Sequence, residues 1–345
     1  MRVSRVAGSD PGTSSLDVVV LEDGKVVVER RWLPEELARG ADSVVAFLEA
    51  AGPLDLVAAP SGYGLPLIRS ADLSRQHEGL LGLVRPDDRD RARGVVGLMK
   101  VVRALRDSAL PVIFLPGGIH LPTIPPHRKV NRVDMGTPDK ICVVALAIET
   151  LAARLGAAYS DLDLLVVEIG AAFSAVFAVS EGRIVDARAG SFGPVGLGAA
   201  GALDGEFAYL CGSLSKDDLF AGGVGPSPSG IDAERIRESI VQEAGALTAI
   251  TPVEHVVLQP HGLGGQPIVR EIIGDLRRFG AVTLLESLPG SKLKCAAQGA
   301  ALIADGLAGG RHRGLIEHLE IPRASGSVLD HLGHPRAEEM RRMFR

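Results

Sequence analysis

The chain has 345 residues, of which 46% are hydrophobic and 23% charged, and its formal net charge is −5. This composition is typical of a soluble globular protein, and the length predicts two domains that each bury a core. A slightly acidic chain without a long basic run lacks the usual signature of nucleic-acid binding, so no nucleic acid is expected as a partner.

No segment predicts a membrane partner or a secretory route. The longest apolar stretch, Leu164–Val179, is interrupted by Glu168 and is too short to span a bilayer. The first residues lack the apolar core of a signal peptide. The three cysteines, Cys142, Cys211 and Cys295, are odd in number and far apart, which favours buried thiols over a disulfide framework or a metal cluster. These features predict a cytoplasmic protein.

Apolar runs separated by turn residues predict alternating strands and helices in the first half. Strands are expected at Val3–Gly8, Leu16–Leu21, Lys25–Trp32, Leu54–Ala59 and Val112–Leu115. Helices are expected at Pro34–Arg39, Ala41–Ala51 and Arg91–Ser108, and the polar stretch Ser70–Arg93 is expected to be a surface excursion. Because every residue from Val18 to Leu21 is apolar, the sheet should be covered on both faces.

Two segments of the first half are candidate sites. Pro60-Ser61-Gly62-Tyr63-Gly64 follows the carboxyl end of a predicted strand, where α/β sheets place their sites, although a plain Gly/Pro loop explains it equally well. The segment Asp134–Lys140 predicts a helix start, with the basic residues Arg128 and Lys129 upstream of it. A helix N-terminus attracts anions, and simple capping with solvated basic residues is the alternative.

The second half repeats the alternation of strands and helices. Strands are expected at Leu164–Ile169, His255–Gln259 and Val282–Leu285, and helices at Ser229–Ile250, Pro267–Phe279, Cys295–Ala304 and, in the tail, near Glu338–Phe344. Gly196–Gly201 formally matches the dinucleotide fingerprint GxGxxG, but a Gly/Pro loop rather than a strand precedes it. A glycine-rich loop that crosses a cleft is therefore favoured over a dehydrogenase site.

One stretch of the first half recurs in the second. Asp10–Val27 aligns without a gap with Glu168–Val185, so that each copy contains a carboxylate, a glycine turn, an apolar strand, an acid-glycine turn and a second apolar strand. Such a segment is a β-hairpin with a glycine-rich entry. Because the repeat is far too long for a solenoid, it predicts two duplicated domains that face each other.

The paired hairpins suit a polyphosphate. A glycine turn lets backbone N–H groups approach phosphate oxygens closely, and the hydroxyls of Thr13, Ser14 and Ser15 can donate to the same oxygens. A carboxylate beside the turn, here Asp10 or Glu168, suits a hydrated Mg²⁺. Two ordinary hairpins with turn glycines are the alternative, which the gapless pairing makes less favoured.

With these motifs placed, the chain resembles the acetate and butyrate kinase branch of the sugar kinase/Hsp70/actin superfamily, and more closely the group of predicted butyrate kinases. The motifs that carry the resemblance are, in chain order, Asp10–Ser15, Gly136–Lys140, Leu164–Pro194, His255–Ile272 and Gly299–Gly310. The resemblance implies two duplicated actin/Hsp70-like, ribonuclease H-like ATPase domains with a nucleotide cleft between them. The expected bounds are 1–134 and 135–345, and a tail over 315–345 is expected to pack on the first domain.

Together with the paired hairpins, the resemblance implies an ATP- and Mg²⁺-dependent phosphotransferase that acts on a small carboxylate such as a short-chain fatty acid. We expect Asp10, Asp134 and Lys140 to be catalytic and Asp10 and Glu168 to hold Mg²⁺ through water. The expected nucleotide-binding residues are Gly12, Thr13, Ser14, Ser15, Gly170, Ala171, Ser174, Gly193, Gly262, Gly264 and Gly265. Substrate contacts are expected from Ser61, Tyr63, Arg128 and Lys129, and a homodimer is the implied assembly.

The sequence departs from the acetate kinase pattern on the acceptor side. Met135 stands where those kinases have a histidine, and the loop Pro116-Gly117-Gly118 has no aspartate. The loops Ser61–Gly64 and Gly196–Leu203 have no arginine. A nucleotide-binding regulatory protein without phosphotransfer therefore stays open as the alternative. An iron–sulfur ATPase activator of the same superfamily is disfavoured because the cysteines show no ligand spacing.

Overall fold

The computed structural model describes residues 3–12, 15–88 and 93–345, and for residues 93–96 it describes only the backbone. Thr13 and Ser14, two of the expected phosphate-binding residues, lie outside the described residues. The described part of the chain forms two mixed sheets with helices between and around them.

The first sheet has six strands in the order β3-β2-β1-β4-β6-β5. Its strands are β1 (Arg5–Pro11), β2 (Leu16–Glu22), β3 (Lys25–Trp32), β4 (Leu56–Ala59), β5 (Ile68–Arg69) and β6 (Val112–Phe114). β1 to β3 form an antiparallel meander, whereas β4 pairs in parallel with β1 and with β6. β1 extends further than expected, through Asp10 to Pro11, because its pairing with β2 continues to the hairpin loop.

The second sheet has five strands in the order β11-β10-β7-β8-β9. Its strands are β7 (Leu164–Ile169), β8 (Ser174–Ser180), β9 (Arg183–Ala189), β10 (His255–Gln259) and β11 (Ala281–Leu284). As in the first sheet, an antiparallel meander is followed by parallel strands, β10 on β7 and β11 on β10. The two halves therefore share one strand plan.

The duplication extends to local irregularities of the two meanders. The pairing register of β2 with β3 shifts between Val20 and Leu21, and that of β8 with β9 shifts between Ala178 and Val179, at the equivalent place. The turns that precede β3 and β9 also correspond, since an acidic residue and then a glycine adopt positive φ in both: Asp23 (50°), Gly24 (72°), Glu181 (48°) and Gly182 (69°). Two successive residues of positive φ define the tight turn that suits the twist of a hairpin.

The helices fill three layers around and between the sheets. They are α1 (Pro34–Ala38), α2 (Asp42–Ala50), α3 (Arg75–Gly82), α4 (Arg93–Asp107), α5 (Pro126–Lys129), α6 (Pro138–Leu155), α7 (Gly205–Cys211), α8 (Ile231–Thr248), α9 (Ile268–Leu276), α10 (Cys295–Leu307), α11 (Arg313–His318) and α12 (Ala337–Arg342). α6 and α10 pack against each other in the middle layer, where α10 also covers β1, β2 and β4 and α6 contacts β7. α8 and α9 cover the outer face of the second sheet.

Small residues allow this middle layer to form. A Cβ on Gly299 of α10 would lie 1.9 Å from the carbonyl oxygen of Cys142 in α6, and a Cβ on Gly8 of β1 would lie 2.0 Å from the backbone nitrogen of Ala301. Real atoms do not approach so closely, so the backbones of α6, α10 and β1 touch at these glycines. This close packing fixes the first turns of both middle helices relative to the sheets, and those first turns carry the site described below.

Two parts of the chain differ from the sequence-based expectation. The stretch Ser70–Arg93 contains helix α3, in which Leu80 and Leu81 are buried. Ser74 caps α3 by accepting a hydrogen bond from the backbone N–H of His77 at 3.2 Å, a helix-start signal that the high charge of the stretch conceals. The expectation of buried thiols is wrong for Cys211, which is exposed, whereas the other two cysteines are buried.

The C-terminal segment contacts the first domain through its backbone. The N–H of Asn131 donates to the carbonyl of His331 at 2.9 Å, and the N–H of Ser325 donates to the carbonyl of His120 at 3.0 Å. Within the described ranges, none of the helices combines the length and the apolar character that crossing a membrane requires.

Candidate active site

The hairpin loops that follow β1 and β7 are closed by the same backbone hydrogen bond. The N–H of Gly12 donates to the carbonyl of Ser15 at 3.0 Å, and the N–H of Gly170 donates to the carbonyl of Phe173 at 3.1 Å. Burial raises the pKa of Glu168 beside the second loop, and the negative charge of Asp10 beside the first loop adds to that effect. The two loops therefore lie close enough across one cleft for their acids to interact.

Each of these acids pairs with a lysine at the start of a middle-layer helix. Lys140, in the first turn of α6, lies with its Nζ 2.6 Å from Oε2 of Glu168. Lys294, immediately before α10, lies with its Nζ 3.2 Å from Oδ2 of Asp10 and donates to the carbonyl of Ser15 at 2.8 Å. α6 follows the first sheet in the chain and pairs with the acid at the end of β7 in the second sheet, whereas α10 follows the second sheet and pairs with the acid of β1 in the first.

Lys294 has no place among the residues expected from the sequence. The partners of its ammonium and backbone N–H groups all lie more than 270 positions away in the chain. Besides Asp10 and Ser15 they include Asp17, whose Oδ2 accepts from the backbone N–H of Lys294 at 3.0 Å across a sequence separation of 277. The only local signal is its position directly before a small-residue helix. That signal identifies a helix start but not the carboxylate that the lysine meets.

Asp139 adds a third carboxylate to the same centre. Its Oδ2 lies 3.8 Å from Nζ of Lys140. Burial raises the pKa of Asp10 to about 6, Lys294 acts in the opposite direction, and the negative charge of Asp139 raises it further. Burial favours the neutral form of Lys140, but the charges of Glu168 and Asp139 outweigh it and raise the pKa of Lys140. Three acids thus face two ammonium groups, which leaves room for a further positive charge.

The N–H groups of the loop glycines close the loops and are not left for a ligand. The N–H groups of Gly12 and Gly170 are already used inside their loops. In the second loop, the N–H groups of Ala171 and Ala172 make no hydrogen bond within the described residues. These are the donors that a phosphate oxygen would meet at the second loop.

The loop hydroxyls differ in their partners. Ser15, an expected phosphate ligand, donates from Oγ to Oδ1 of the buried Asp17 at 2.9 Å. Ser174, at the start of β8, is fully buried, and its Oγ has no hydrogen-bond partner in the described part of the chain. A buried hydroxyl without a partner is costly in a native protein. Of these two expected residues, Ser174 is the one whose hydroxyl is available to a ligand.

Two glycine-rich turns lie against the second loop. The N–H of Gly262 donates to the carbonyl of Ile169 at 2.8 Å, and a Cβ on Gly262 would lie 2.4 Å from the carbonyl oxygen of Gly170. Gly264 and Gly265, further along the same turn, face open space. The turn after β10 therefore adjoins the second hairpin loop and leaves open space beside it.

The other turn follows β9 and contains the GxGxxG match. The N–H of Gly198 donates to the carbonyl of Ala172 at 3.0 Å, so this turn also lies on the second hairpin loop. Gly193 lines a cavity of about 320 Å³ between the turn and α8, outside the cleft itself. The match lies in a loop, as the sequence favoured, and not at the start of a helix.

The expected acceptor residues lie around the start of α6. Asp134 is half-buried and accepts a hydrogen bond from the N–H of Gly136 at 2.8 Å, and burial raises its pKa. A Cβ on Gly117 would lie 2.9 Å from the carbonyl oxygens of Tyr63 and Gly136, so the loop after β4 adjoins this helix start. The hydroxyl of Tyr63 meets Lys216 of the second domain, which donates to it from Nζ at 2.8 Å. Lys216 is a second cleft residue that the sequence did not identify.

Arg128 and Lys129 have other partners. Nη1 of Arg128 donates to the carbonyl of Val185 at 2.9 Å, and its Nε lies 3.8 Å from Oδ2 of Asp186. Nζ of Lys129 donates to the carbonyl of Leu121 at 2.7 Å, and burial lowers its pKa. Both side chains therefore already join parts of the chain. Their expected contact with a substrate stays a prediction, as does that of the buried Ser61.

The residues present fit a magnesium-bound polyphosphate. Within the described ranges, no group of three carboxylate, histidine or cysteine side chains is arranged to hold a metal ion by itself. Mg²⁺ commonly uses only one or two carboxylates together with water and substrate phosphates. Asp10 keeps Oδ1 and Glu168 keeps Oε1 without a hydrogen-bond partner in the described part of the chain, since the lysines contact their other oxygens. Those two oxygens, the N–H groups of the second loop and the orphaned hydroxyl of Ser174 form a suitable donor set.

Two sheets of one strand plan, two middle helices and paired hairpin loops define the duplicated two-domain α/β fold of the acetate kinase and actin-like ATPases. Solved structures bear this out. The acetate kinase of Porphyromonas gingivalis aligns with a TM-score of 0.57 at 14% identity, over 86% of this chain and 98% of that one. A propionate kinase of Francisella tularensis aligns with a TM-score of 0.58 at 12% identity, over 86% and 98%. The acetate kinase of Entamoeba histolytica aligns with a TM-score of 0.53 at 14% identity, over 80% and 87%.

At the level of sequence, residues 8–334 match the model of the family described as "Protein of unknown function (DUF1464)", and the chain belongs to that family. No curated protein matches it significantly. At these identities the solved structures establish the fold, and the function depends on the site.

Proposed function

We propose that this protein transfers the terminal phosphoryl group of Mg·ATP to a small carboxylate, of the size of a short-chain fatty acid such as butyrate. One observation carries the proposal: two hairpin loops closed by the same backbone hydrogen bond face each other, and each has a buried acid paired with a lysine from the start of a middle-layer helix. Phosphoryl transfer depends mainly on positioning and charge neutralisation, and this arrangement is able to provide both.

The chain's own residues would divide the work as follows. Asp10 and Glu168 would hold hydrated Mg²⁺ through their free oxygens, and the bound metal would neutralise the phosphate charge. Lys140 and Lys294 would orient these acids and place positive charge beside the transferred group. The N–H groups of Ala171 and Ala172 would bind phosphate oxygens of the donor.

The charge balance supports this division. Without a ligand, three carboxylates face two ammonium groups in a buried site, and burial holds the pKa of Asp10 at about 6. A divalent cation would favour the ionised form of Asp10 and Glu168. At neutral pH the site is therefore suited to gain a metal ion and the polyphosphate that the metal accompanies.

The acceptor assignment rests on the start of α6 and on the fold. A carboxylate is already ionised at neutral pH and needs no general base, so Asp134 would orient the acceptor rather than take a proton from it. Two of the similar structures are an acetate kinase and a propionate kinase, and both names refer to short carboxylates. This likeness supports a carboxylate acceptor over a hydroxyl acceptor.

The test is the release of ADP from Mg·ATP by the purified protein in the presence of formate, acetate, propionate, butyrate or isobutyrate, with glycerol and glucose as hydroxyl controls. Hydroxylamine in a parallel reaction would trap an acyl phosphate as its hydroxamate. We expect one carboxylate to raise the rate and to yield the hydroxamate. ATP binding without stimulation by any acceptor would instead support a regulatory protein of the same fold.

Asp10→Asn and Glu168→Gln should each abolish most of the stimulated rate, by about a hundredfold, since each removes a charge from the metal site. Glu254→Gln is the matched control because Glu254 is an exposed acid at the start of β10, outside the cleft. A stimulated rate that survives Asp10→Asn would refute the assignment of the first loop.

A further inference from the structure

Residues 204–223 form a strap that connects the second domain to the first. On the first domain, Nη2 of Arg85 donates to the carbonyl of Leu214 at 2.5 Å. The backbone N–H of Lys216 donates to Oδ2 of the buried Asp88 at 2.5 Å. These contacts hold the middle of the strap against the loop that precedes α4.

The strap also touches the second hairpin loop. The ring of Phe220 packs edge-on against that of Phe173, with 5.0 Å between their centroids, and the carbonyl of Phe173 closes the loop by accepting from Gly170. One segment thus connects the phosphate-binding loop with the acceptor side of the cleft.

The ammonium group of Lys216 has an unusual environment. The residue is only 9% exposed, yet no carboxylate of the described residues lies within 4.0 Å of its Nζ. Its hydrogen-bond partner is the hydroxyl of Tyr63, over whose ring it also lies, 4.4 Å from the centroid. Lys140 and Lys294, by contrast, each contact a carboxylate.

Lys129 is buried to a similar degree and also lacks a carboxylate partner, but it differs in place. Its ammonium donates to the carbonyl of Leu121 within the first domain. Lys216 instead crosses from one domain to the other, and its charge interacts with that of Asp134. A buried cation without a counter-charge is costly unless an anion joins it.

Lys216 and Tyr63 both have hydrogen-bond donors left for a ligand. An ammonium group has three, and Tyr63 takes one of those of Lys216. The hydroxyl of Tyr63 accepts that bond and can donate its own proton. Burial, with the charge of Asp134, raises the pKa of Tyr63, so its hydroxyl keeps the proton at neutral pH.

We infer that Lys216 and Tyr63 bind the carboxylate of the acceptor, and that the strap thereby forms one wall of the acceptor site. This inference rests on the proposed function, and it names the side chains that recognise the substrate class. Lys216 is the contribution of the second domain to this site, and Tyr63 is that of the first.

The protonation of Lys216 supports an anion ligand with a defined pH dependence. Burial lowers the pKa of Lys216 to about 8, while the charges of Asp134 and Asp88 act in the opposite direction. The groups that face it are therefore Asp134, Asp88 and the neutral Tyr63. The ammonium form binds an anion, so acceptor affinity should be constant below about pH 7 and should fall as the pH rises through 8.

The experiment measures KM for butyrate, or for the carboxylate with the highest rate, and KM for Mg·ATP in Lys216→Met, Lys216→Arg, Tyr63→Phe and the wild type. We expect Lys216→Met to raise the acceptor KM about tenfold to a hundredfold, and Tyr63→Phe to raise it about threefold to tenfold, with KM for ATP unchanged. Lys216→Arg should restore most of the affinity and remove the rise of KM above pH 8.

Lys100→Met is the control, because Lys100 is an exposed lysine of α4. If the wild type is active and Lys216→Met leaves the acceptor KM unchanged, or raises only KM for ATP, the inference is wrong while the proposed function stands. Tyr63→Phe, which keeps the ring, decides the matter if Lys216→Met does not fold.

If no carboxylate stimulates the wild type, the proposed function fails, and calorimetric titration with butyrate then judges the site alone. Binding that Lys216→Met abolishes would still support an anion site at the strap. No binding to the wild type would overturn it.

Discussion

The two hairpin loops are closed by the same backbone hydrogen bond, but the serine hydroxyls beside them have different partners. Both close through a glycine N–H and the carbonyl three residues on, yet the first holds its hydroxyl at Ser15 in a bond to Asp17, whereas the second leaves Ser174 without a partner. The difference shows what duplication preserves. Strand register, bulge and turn are set by local sequence and persist in both copies, whereas the hydroxyls of Ser15 and Ser174 have different environments.

The two middle-layer helices give each loop the same pair of charges, an acid and a lysine. Neither loop contains a lysine, and each acid receives one from the start of a middle-layer helix, Glu168 from α6 and Asp10 from the residue before α10. Among the described residues of the first domain the strap has no counterpart, since only the short connection 33–41 joins β3 to α2. The cleft thus has one duplicated part, suited to the phosphates, and one unique part around Lys216, suited to the acceptor.

The largest expected effect on stability comes from replacing the lysines that pair with the buried acids. Lys140→Met should lower the free energy of unfolding by about 3 kcal/mol, since it leaves Glu168 buried without its partner and removes the charge nearest to Asp139. Lys294→Met should cost less, because only one acid, Asp10, lies in its salt bridge. Urea denaturation of both variants at pH 7.5 measures the difference, and equal losses would contradict this ranking.

A smaller effect is expected on the pH dependence of stability through Asp10. Its pKa in the folded protein is about 6, above the ordinary value of 3.8, so the folded state binds this proton more tightly than the unfolded state does. The stabilising contribution of the protonated acid is complete below about pH 4 and is lost as the pH rises through 6. Asp10→Asn is neutral throughout and lacks this component, so the component should appear in the difference between its stability and that of the wild type.

Denaturation curves of the two proteins between pH 4.5 and 7.5 are the measurement. Asp10→Asn should become more stable relative to the wild type as the pH rises from 4.5 to about 6, and the difference should level off above about pH 7. A difference that is constant across the range would show that the carboxyl of Asp10 is not perturbed.

The smallest expected effects on stability come from removing the hydroxyls of Ser174 and Ser15, and these two effects should have opposite signs. Ser174→Ala removes a buried hydroxyl without a partner and should stabilise the protein by about 1 kcal/mol in the absence of nucleotide, while weakening Mg·ATP binding several-fold. Ser15→Ala removes a bond to Asp17 and should destabilise it by about 1 kcal/mol. Thermal denaturation with and without Mg·ATP tests both, and effects of the same sign in the absence of nucleotide would refute the contrast.

The duplicated hairpins could be predicted from the sequence, whereas two lysines of the candidate site could not. The gapless match of Asp10–Val27 with Glu168–Val185 predicted a β-hairpin in each half, and the structure confirms both hairpins. The register shift that the two hairpins share was not predicted. The duplicated two-domain fold is confirmed as well. These features depend on periodicity and turn residues, which a single sequence displays.

The rest depends on contacts between distant residues. Lys294 and Lys216 become site residues only because α10 and the strap bring them to partners far away in the chain, Asp10 and Tyr63. Neither lysine differs in its local sequence from a solvated one. The high charge of Ser70–Arg93 likewise concealed α3, because net polarity outweighed a short capping signal.

The most direct test of the account is a calorimetric titration of the purified chain with Mg·ATP. The paired loops predict one site per chain, with binding that requires Mg²⁺ and is weakened by Asp10→Asn and by Glu168→Gln alike. No binding, or binding that neither substitution changes, would contradict the claim that the two hairpins hold one nucleotide between them.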